Sequence, residues 1–106
     1  MIKVTVYYAN SEDSRFDIDY YCNVHMPMVR AKCGGALKGM DIDRGVSGGA
    51  PGSRAPYACM GHLYFDSVES FQASFSPHAK EILADVPNYT DVKPSMQISE
   101  VRLRQG

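Results

Sequence analysis

Long apolar runs are missing from this sequence of 106 residues. No stretch approaches the roughly 20 apolar residues that a membrane-spanning helix needs, so no membrane role is expected. Clustered positive charge is missing as well. The 11 Lys and Arg are offset by 12 Asp and Glu, a net charge of −1, and no basic run occurs. A nucleic-acid binder concentrates cations to neutralise phosphates, so no nucleic-acid partner is expected. Cysteine is scarce: Cys22, Cys33 and Cys59 are an odd number without C-x-x-C spacing. That pattern suggests neither a disulfide framework nor a zinc knuckle, and buried free thiols are expected. The three histidines, His25, His62 and His78, show no H-x-x-x-H or H-E-x-x-H spacing, so no metal site is expected. The first residues, Met1-Ile2-Lys3-Val4-Thr5-Val6-Tyr7-Tyr8, read as a strand and not as a signal peptide. Cytoplasm is the expected compartment.

What is present suits one small domain over residues 1–106. Hydrophobic residues make up 44% and charged residues 22%, as in ordinary globular proteins. This length supports one core and not two.

Residues 2–8 are rich in β-branched and aromatic types and predict a strand. After a polar connector, Asp17 is placed to cap a helix in which Tyr21, Val24, His25 and Met28 recur at helical spacing. Pro27 removes a backbone donor, so the helix should kink or restart near His25 and then stop at Gly34-Gly35. Residues 37–44 predict a charged edge strand, and residues 45–56, rich in Gly and Pro, predict a loop. Residues 57–65 form the strongest strand pattern in the chain. A second helix is predicted with Ser67 as its cap and Val68, Phe71, Phe75, Ile82 and Val86 as its apolar stripe. Pro77 should break it, with Ser76 capping a continuation, and a last strand should run from about Ser95 to Leu103.

The order is β-α-β-β-α-β. With right-handed crossovers this predicts an α+β, ferredoxin-like antiparallel sheet with both helices on one face. Residues 57–65 then carry apolar or aromatic groups on both faces: Tyr57, Cys59, Leu63 and Phe65 on one, Met60, His62 and Tyr64 on the other. A sheet with one wet face should alternate cleanly. An exposed apolar face marks an interface, so a homodimer formed sheet to sheet is expected.

His25 is the leading candidate for chemistry. It lies one turn after Tyr21 and just before the break at Pro27. Histidine exchanges a proton near neutral pH, and a nearby tyrosine can orient it. The competing structural role is to satisfy the carbonyl that Pro27 leaves without a donor. Met60, Tyr64 and Tyr89 are expected to supply apolar and aromatic walls, with His62 and Tyr20 beside them, for a small hydrophobic organic ligand. The glycine-rich loop has no Gly-Lys-Ser/Thr ending and opens no helix, which argues against a phosphate cradle. The pairs Asp17/Asp19 and Asp41/Asp43 read as surface charge.

The stretch Phe16-Asp17-x-x-Tyr20-Tyr21-x-x-x-His25-Met26-Pro27 resembles the EthD family, as do Met60-Gly61-His62-Leu63-Tyr64-Phe65 and Pro87-Asn88-Tyr89-Thr90-Asp91. That family is named for a gene found with ethyl tert-butyl ether degradation. The likeness covers nearly the whole chain. It implies a dimeric α+β barrel with a pocket between helices and sheet in each subunit. It also maps the family's H-x-P histidine onto His25 and its tyrosine pair onto Tyr20 and Tyr21. Some members carry a reductase label, yet this chain has no dinucleotide fingerprint, flavin motif or haem-ligand arrangement, and no cofactor is expected.

Two functions follow. One is a cofactor-independent isomerase- or lyase-type enzyme acting on an aromatic, lactone or ether-derived compound, with His25 and Tyr21 as catalytic groups. The other is a non-catalytic binding or accessory protein for a degradative oxygenase system.

Overall fold

The computed structural model describes all 106 residues. Strand β1 (Ile2–Ala9) leads to a helical arm made of α1 (Ile18–Tyr20), a π turn (Tyr21–His25) and α2 (Met26–Cys33). Strands β2 (Gly39–Arg44) and β3 (Tyr57–Phe65) follow. A second arm contains α3 (Val68–Phe75) and α4 (Ala79–Ala84), with 3-10 turns at Ser76–His78 and Val86–Asn88, before strand β4 (Ser95–Glu100). The four strands form one sheet in the order β2-β3-β1-β4, with every neighbour antiparallel. This is the ferredoxin-like α+β arrangement. No helix is long and apolar enough to cross a membrane.

Both predicted caps form. The Asp17 carboxylate accepts from the Tyr20 amide at 3.0 Å, and Ser67 Oγ accepts from the Ser70 amide at 3.0 Å. Each satisfies a donor that the first helical turn cannot, worth about 1 kcal/mol. Gly34 ends α2 at φ +62°, a backbone setting that favours glycine. Ser76 does not cap the continuation; it ends α3, its amide bonding the Gln72 carbonyl, and Pro77 is absorbed in a 3-10 turn.

Pro27 does not break the first arm. The preceding turn widens instead, and the Met26 amide reaches back five residues to the Tyr21 carbonyl. A π turn gives the proline ring room against the backbone it would otherwise strike. The continuous arm turns Tyr21, His25, Val29 and Cys33 toward the sheet. Val24 lies on the solvent side of this arm, at 48% exposure. Cys33 and Cys59 are buried as expected, but Cys22 is exposed because it too falls on that outer side.

The core lies between the arms and one face of the sheet. Val4 and Tyr8 of β1 and Cys59, Leu63 and Phe65 of β3 pack there against Phe71 and Ile82. Emptying a site such as Phe65, which is wholly buried, costs about 3–5 kcal/mol. Alternation along β3 sends Met60, His62 and Tyr64 to the opposite, half-exposed face. That outer face is more polar than the pattern of β3 alone implies. Its neighbour β2 contributes Asp43, whose carboxylate meets His62 Nε2 at 2.9 Å, and Asp41, which accepts from the Tyr64 hydroxyl at 2.9 Å. Thr5 Oγ1 meets His62 Nδ1 at 3.0 Å. Asp41 and Asp43 are exposed, as surface charge should be, yet they tie down the two polar side chains of β3.

Candidate active site

The segment that leaves α4 is pinned to the start of the first arm. The Tyr89 carbonyl accepts from the Asp17 amide at 2.7 Å, and Thr90 Oγ1 donates to the Arg15 carbonyl at 2.6 Å. This clamp brings Asp85, Asn88 and Tyr89 over the π turn, where His25 points inward.

Asp85 receives three donors. His25 Nδ1 lies 2.9 Å from Oδ2, while the Tyr20 hydroxyl at 2.7 Å and Asn88 Nδ2 at 2.8 Å both reach Oδ1. Burial works to raise the Asp85 carboxyl, but the hydrogen bonds from Asn88, His25 and Tyr20 outweigh it and hold the group below its usual range. An ionised carboxylate can only accept, so Nδ1 of His25 carries the proton and Nε2 keeps its lone pair. Burial lowers the His25 pKa, and the bond and charge of Asp85 only partly oppose that. The imidazole is therefore neutral at neutral pH, with its basic nitrogen turned away from Asp85.

Nε2 faces the Tyr89 hydroxyl at 3.5 Å, and that hydroxyl is 2.6 Å from the hydroxyl of Tyr8. The Tyr21 ring stacks on the imidazole, with centroids 5.4 Å apart and planes 15° from parallel. Its hydroxyl sits over Gly61, where a Cβ would occupy the same space. Desolvation raises the pKa of Tyr8, Tyr21 and Tyr89, so all three remain neutral phenols. The result is a line of groups Asp85–His25–Tyr89–Tyr8 that can hold and pass a proton.

A cavity of about 100 Å³ opens onto this line. Its polar end is made by Tyr8, Tyr21, His25 and Tyr89. Most of the remaining wall is apolar, with Val29, Leu63, Phe75, Ile82 and Val86 among its residues. No three His, Cys, Asp or Glu side chains converge anywhere to hold a metal ion.

The residues singled out in the sequence divide into three groups. His25, Tyr21 and Tyr89 come together at the cavity. Tyr20 stays outside the wall and reaches the site through its bond to Asp85. Met60, His62 and Tyr64 are not walls of this cavity. They project from the other side of the sheet, and Gly61 and Leu63 take the inward places between them. The reason is the two-residue period of a strand. His25 bonds a carboxylate and not the carbonyl freed by Pro27, because the π turn reorganises that part of the ladder.

Three contributors escaped the sequence reading: Tyr8, Gly61 and Asp85. Tyr8 reads as an ordinary strand aromatic. Asp85 had a faint local signal, since it ends a helix two residues before the Pro87-Asn88-Tyr89 turn.

A family model described as the EthD domain matches residues 10–93. Among solved structures, an EthD-like protein from Ralstonia eutropha JMP134 is 43% identical to this chain. The match covers 98% of this chain and 94% of that one, with a TM-score of 0.93. An ethyl tert-butyl ether (EthD) family protein from Bacillus halodurans C-125 is 22% identical over 94% of this chain and 97% of its own, at a TM-score of 0.65. A dimeric protein of unknown function with a ferredoxin-like fold, from Bacteroides fragilis NCTC 9343, is 14% identical. It covers 93% of this chain and 94% of its own at a TM-score of 0.50, a likeness of fold alone. No curated protein matches this chain. The family match spans most of the chain and includes His25, Asp85 and Tyr89: the chain belongs to the EthD family.

Proposed function

We propose that this protein performs cofactor-independent acid/base chemistry on a small organic compound held between the helices and the sheet. The observation that carries this reading is the bond from His25 Nδ1 to Asp85, which leaves Nε2 as a free base at the polar end of an apolar cavity. A neutral, oriented imidazole in that position can take a proton from a bound molecule and return it. Asp85 fixes the tautomer and stabilises the imidazolium once it forms. Tyr89, backed by Tyr8, is the hydroxyl within reach of Nε2, and Tyr21 supports the imidazole by stacking. Aromatic, lactone and ether-derived compounds suit the apolar walls. The protein works as a cytoplasmic homodimer whose subunits meet through the outer sheet face bearing Met60, His62 and Tyr64. The half-exposed aromatics there, and the dimeric description of the Bacteroides fragilis protein, support that assembly.

The test is a panel of small lactones, ketones, phenols and ethers incubated with the protein in deuterated water and followed by proton NMR. At least one compound should exchange or rearrange faster than in buffer. The His25→Ala variant should lose on the order of 10²–10⁴ of that rate while its melting transition stays near that of the parent. Binding without any His25-dependent exchange would instead favour an accessory role in delivering the compound to an oxygenase.

A further inference from the structure

The polar end of the cavity has a definite chemical character, which narrows the ligand of the site proposed above. Its groups are three phenols and one imidazole; Ser95 is the other polar side chain of the wall, and no Lys, Arg, Asp or Glu is part of it. The carboxylate of Asp85 sits behind the imidazole, against His25 Nδ1. An anionic ligand here would lose its water and gain no cationic partner, at a cost of several kcal/mol for even a partly desolvated ion. It would also face the negative charge behind the imidazole. A bare hydrocarbon would fit the walls but leave the Tyr89 hydroxyl with only Tyr8 and a long contact to Nε2.

We infer that the site takes a small uncharged carbonyl compound, a ketone or lactone, whose oxygen accepts from Tyr89 and whose adjacent C–H faces His25 Nε2. The contact between Tyr89 and Nε2 is 3.5 Å, too long for a good hydrogen bond, so the Tyr89 hydroxyl can turn to a carbonyl oxygen placed beside the pair in the cavity. Either hydroxyl of the 2.6 Å pair can be the donor; when Tyr8 donates to Tyr89, the Tyr89 proton is free for the ligand. Burial keeps both phenols protonated and therefore able to donate. Size points the same way. A dry cavity of about 150 Å³ accepts benzene, so about 100 Å³ limits the ligand to a compound smaller than benzene or to a single small ring.

The inference rests on His25 as the base, and the resulting step is balanced within the molecule. Nε2 removes a proton from the carbon next to the carbonyl, and the C–H electron pair becomes a C=C bond. The carbonyl π pair moves onto oxygen, where the Tyr89 hydrogen bond holds it. The proton on Nε2 then returns to the same carbon, or to the far end of a conjugated system, as the carbonyl reforms. Nothing is oxidised, reduced or consumed.

Cyclopentanone and cyclopentanecarboxylate test the ligand class, titrated separately into the intact protein at pH 7.5 with methyl NMR signals of Val29, Ile82 and Leu83 as the readout. The ketone should shift those signals, and the carboxylate should bind at least tenfold more weakly. Tyr89→Phe should weaken the ketone by roughly tenfold, the value of one hydrogen bond, and leave the carboxylate unchanged. Equal or tighter binding of the carboxylate, or no ketone shift at any soluble concentration, overturns the ligand class whatever His25 does. Deuterium uptake at the α-carbons of bound cyclopentanone tests the base separately. Uptake at the buffer rate, despite selective ketone binding, overturns the proton-transfer step and with it the acid/base function.

Discussion

His25 donates from Nδ1 to Asp85 Oδ2 at 2.9 Å, across a sequence separation of 60 residues. Both side chains are largely shielded from solvent, with 4% and 18% of their surfaces exposed. This one bond selects the tautomer, orients the ring and joins the two helical arms at the mouth of the cavity.

Asp85→Asn should disturb the site more than the fold. The amide keeps the shape of the carboxylate but lacks its charge, so His25 loses the influence that opposes its burial. The His25 pKa, followed by NMR of its ring carbon protons, should fall further below that of the parent. Any His25-dependent exchange should slow by at least tenfold, because the imidazolium loses its counter-charge. An unchanged His25 titration would show that Asp85 has no electrostatic hold on the ring.

Acid should weaken the fold in two stages. Burial lowers the His25 pKa from its ordinary 6.5, so the native state resists protonation more than the unfolded chain does. The stability that the neutral ring contributes is complete above about pH 6.5 and is lost as the pH falls toward the lowered native value. The Asp85 carboxyl, lowered from 3.8, has the same sign and acts in the more acidic range. Urea midpoints at pH 7.5 and 5.5 should therefore differ in favour of pH 7.5. The difference should shrink in His25→Phe, which has nothing to protonate.

Tyr89→Phe removes the hydroxyl between Tyr8 and His25. Both residues are buried, so the Tyr8 hydroxyl loses its 2.6 Å partner at a site largely shielded from bulk solvent. The expected cost is about 1–3 kcal/mol, the penalty of a buried group left unpaired. Denaturant unfolding measures it. Tyr20→Phe, by contrast, removes one of three donors to Asp85 at a more open position and should cost less.

Gly61→Ala should strike the site from the sheet side. Its Cβ would collide with the Tyr21 hydroxyl, and Tyr21 is 1% exposed and stacked on His25. The ring cannot swing clear without disturbing the imidazole. Overpacking of this kind costs about 1–3 kcal/mol, and the His25 NMR signals should shift together with those of Tyr21. Unmoved His25 signals would show that Tyr21 does not position the imidazole.

Sedimentation at micromolar concentration should give about twice the chain mass of 11.7 kDa. Tyr64→Glu places a charge beside Asp41 on the proposed interface and should shift the species toward monomer. A stable monomer of the parent protein would remove the outer sheet face as the site of association.

Much of the fold was legible because its signals are local. The two-residue alternation of 57–65 marked β3 and both of its faces. The carboxylate of Asp17 and the hydroxyl of Ser67 marked the helix starts, since a cap acts within three residues of itself. The same alternation, followed strictly, already placed Met60, His62 and Tyr64 on the face opposite Leu63, and so apart from a pocket beneath the helices. Pro27 announced a disturbance in the first arm, although its local chemistry allowed a break and a widened turn equally.

By itself, the sequence determined the order of strands and helices and the inward and outward sides of β3, and it singled out His25 as a candidate. Only the tertiary structure decided what His25 touches. Asp85 lies 60 residues away in the chain, Tyr89 lies 64 away, and Tyr8 meets Tyr89 across 81. No periodicity spans such distances. These residues meet because the sheet sets β1 under the first arm and the Asp17–Tyr89 and Arg15–Thr90 bonds draw the end of the second arm across it. The cavity has the same origin: it is the space that the apolar residues of both arms and the sheet leave around four polar groups once the helices have packed and the Tyr21 hydroxyl has seated over Gly61.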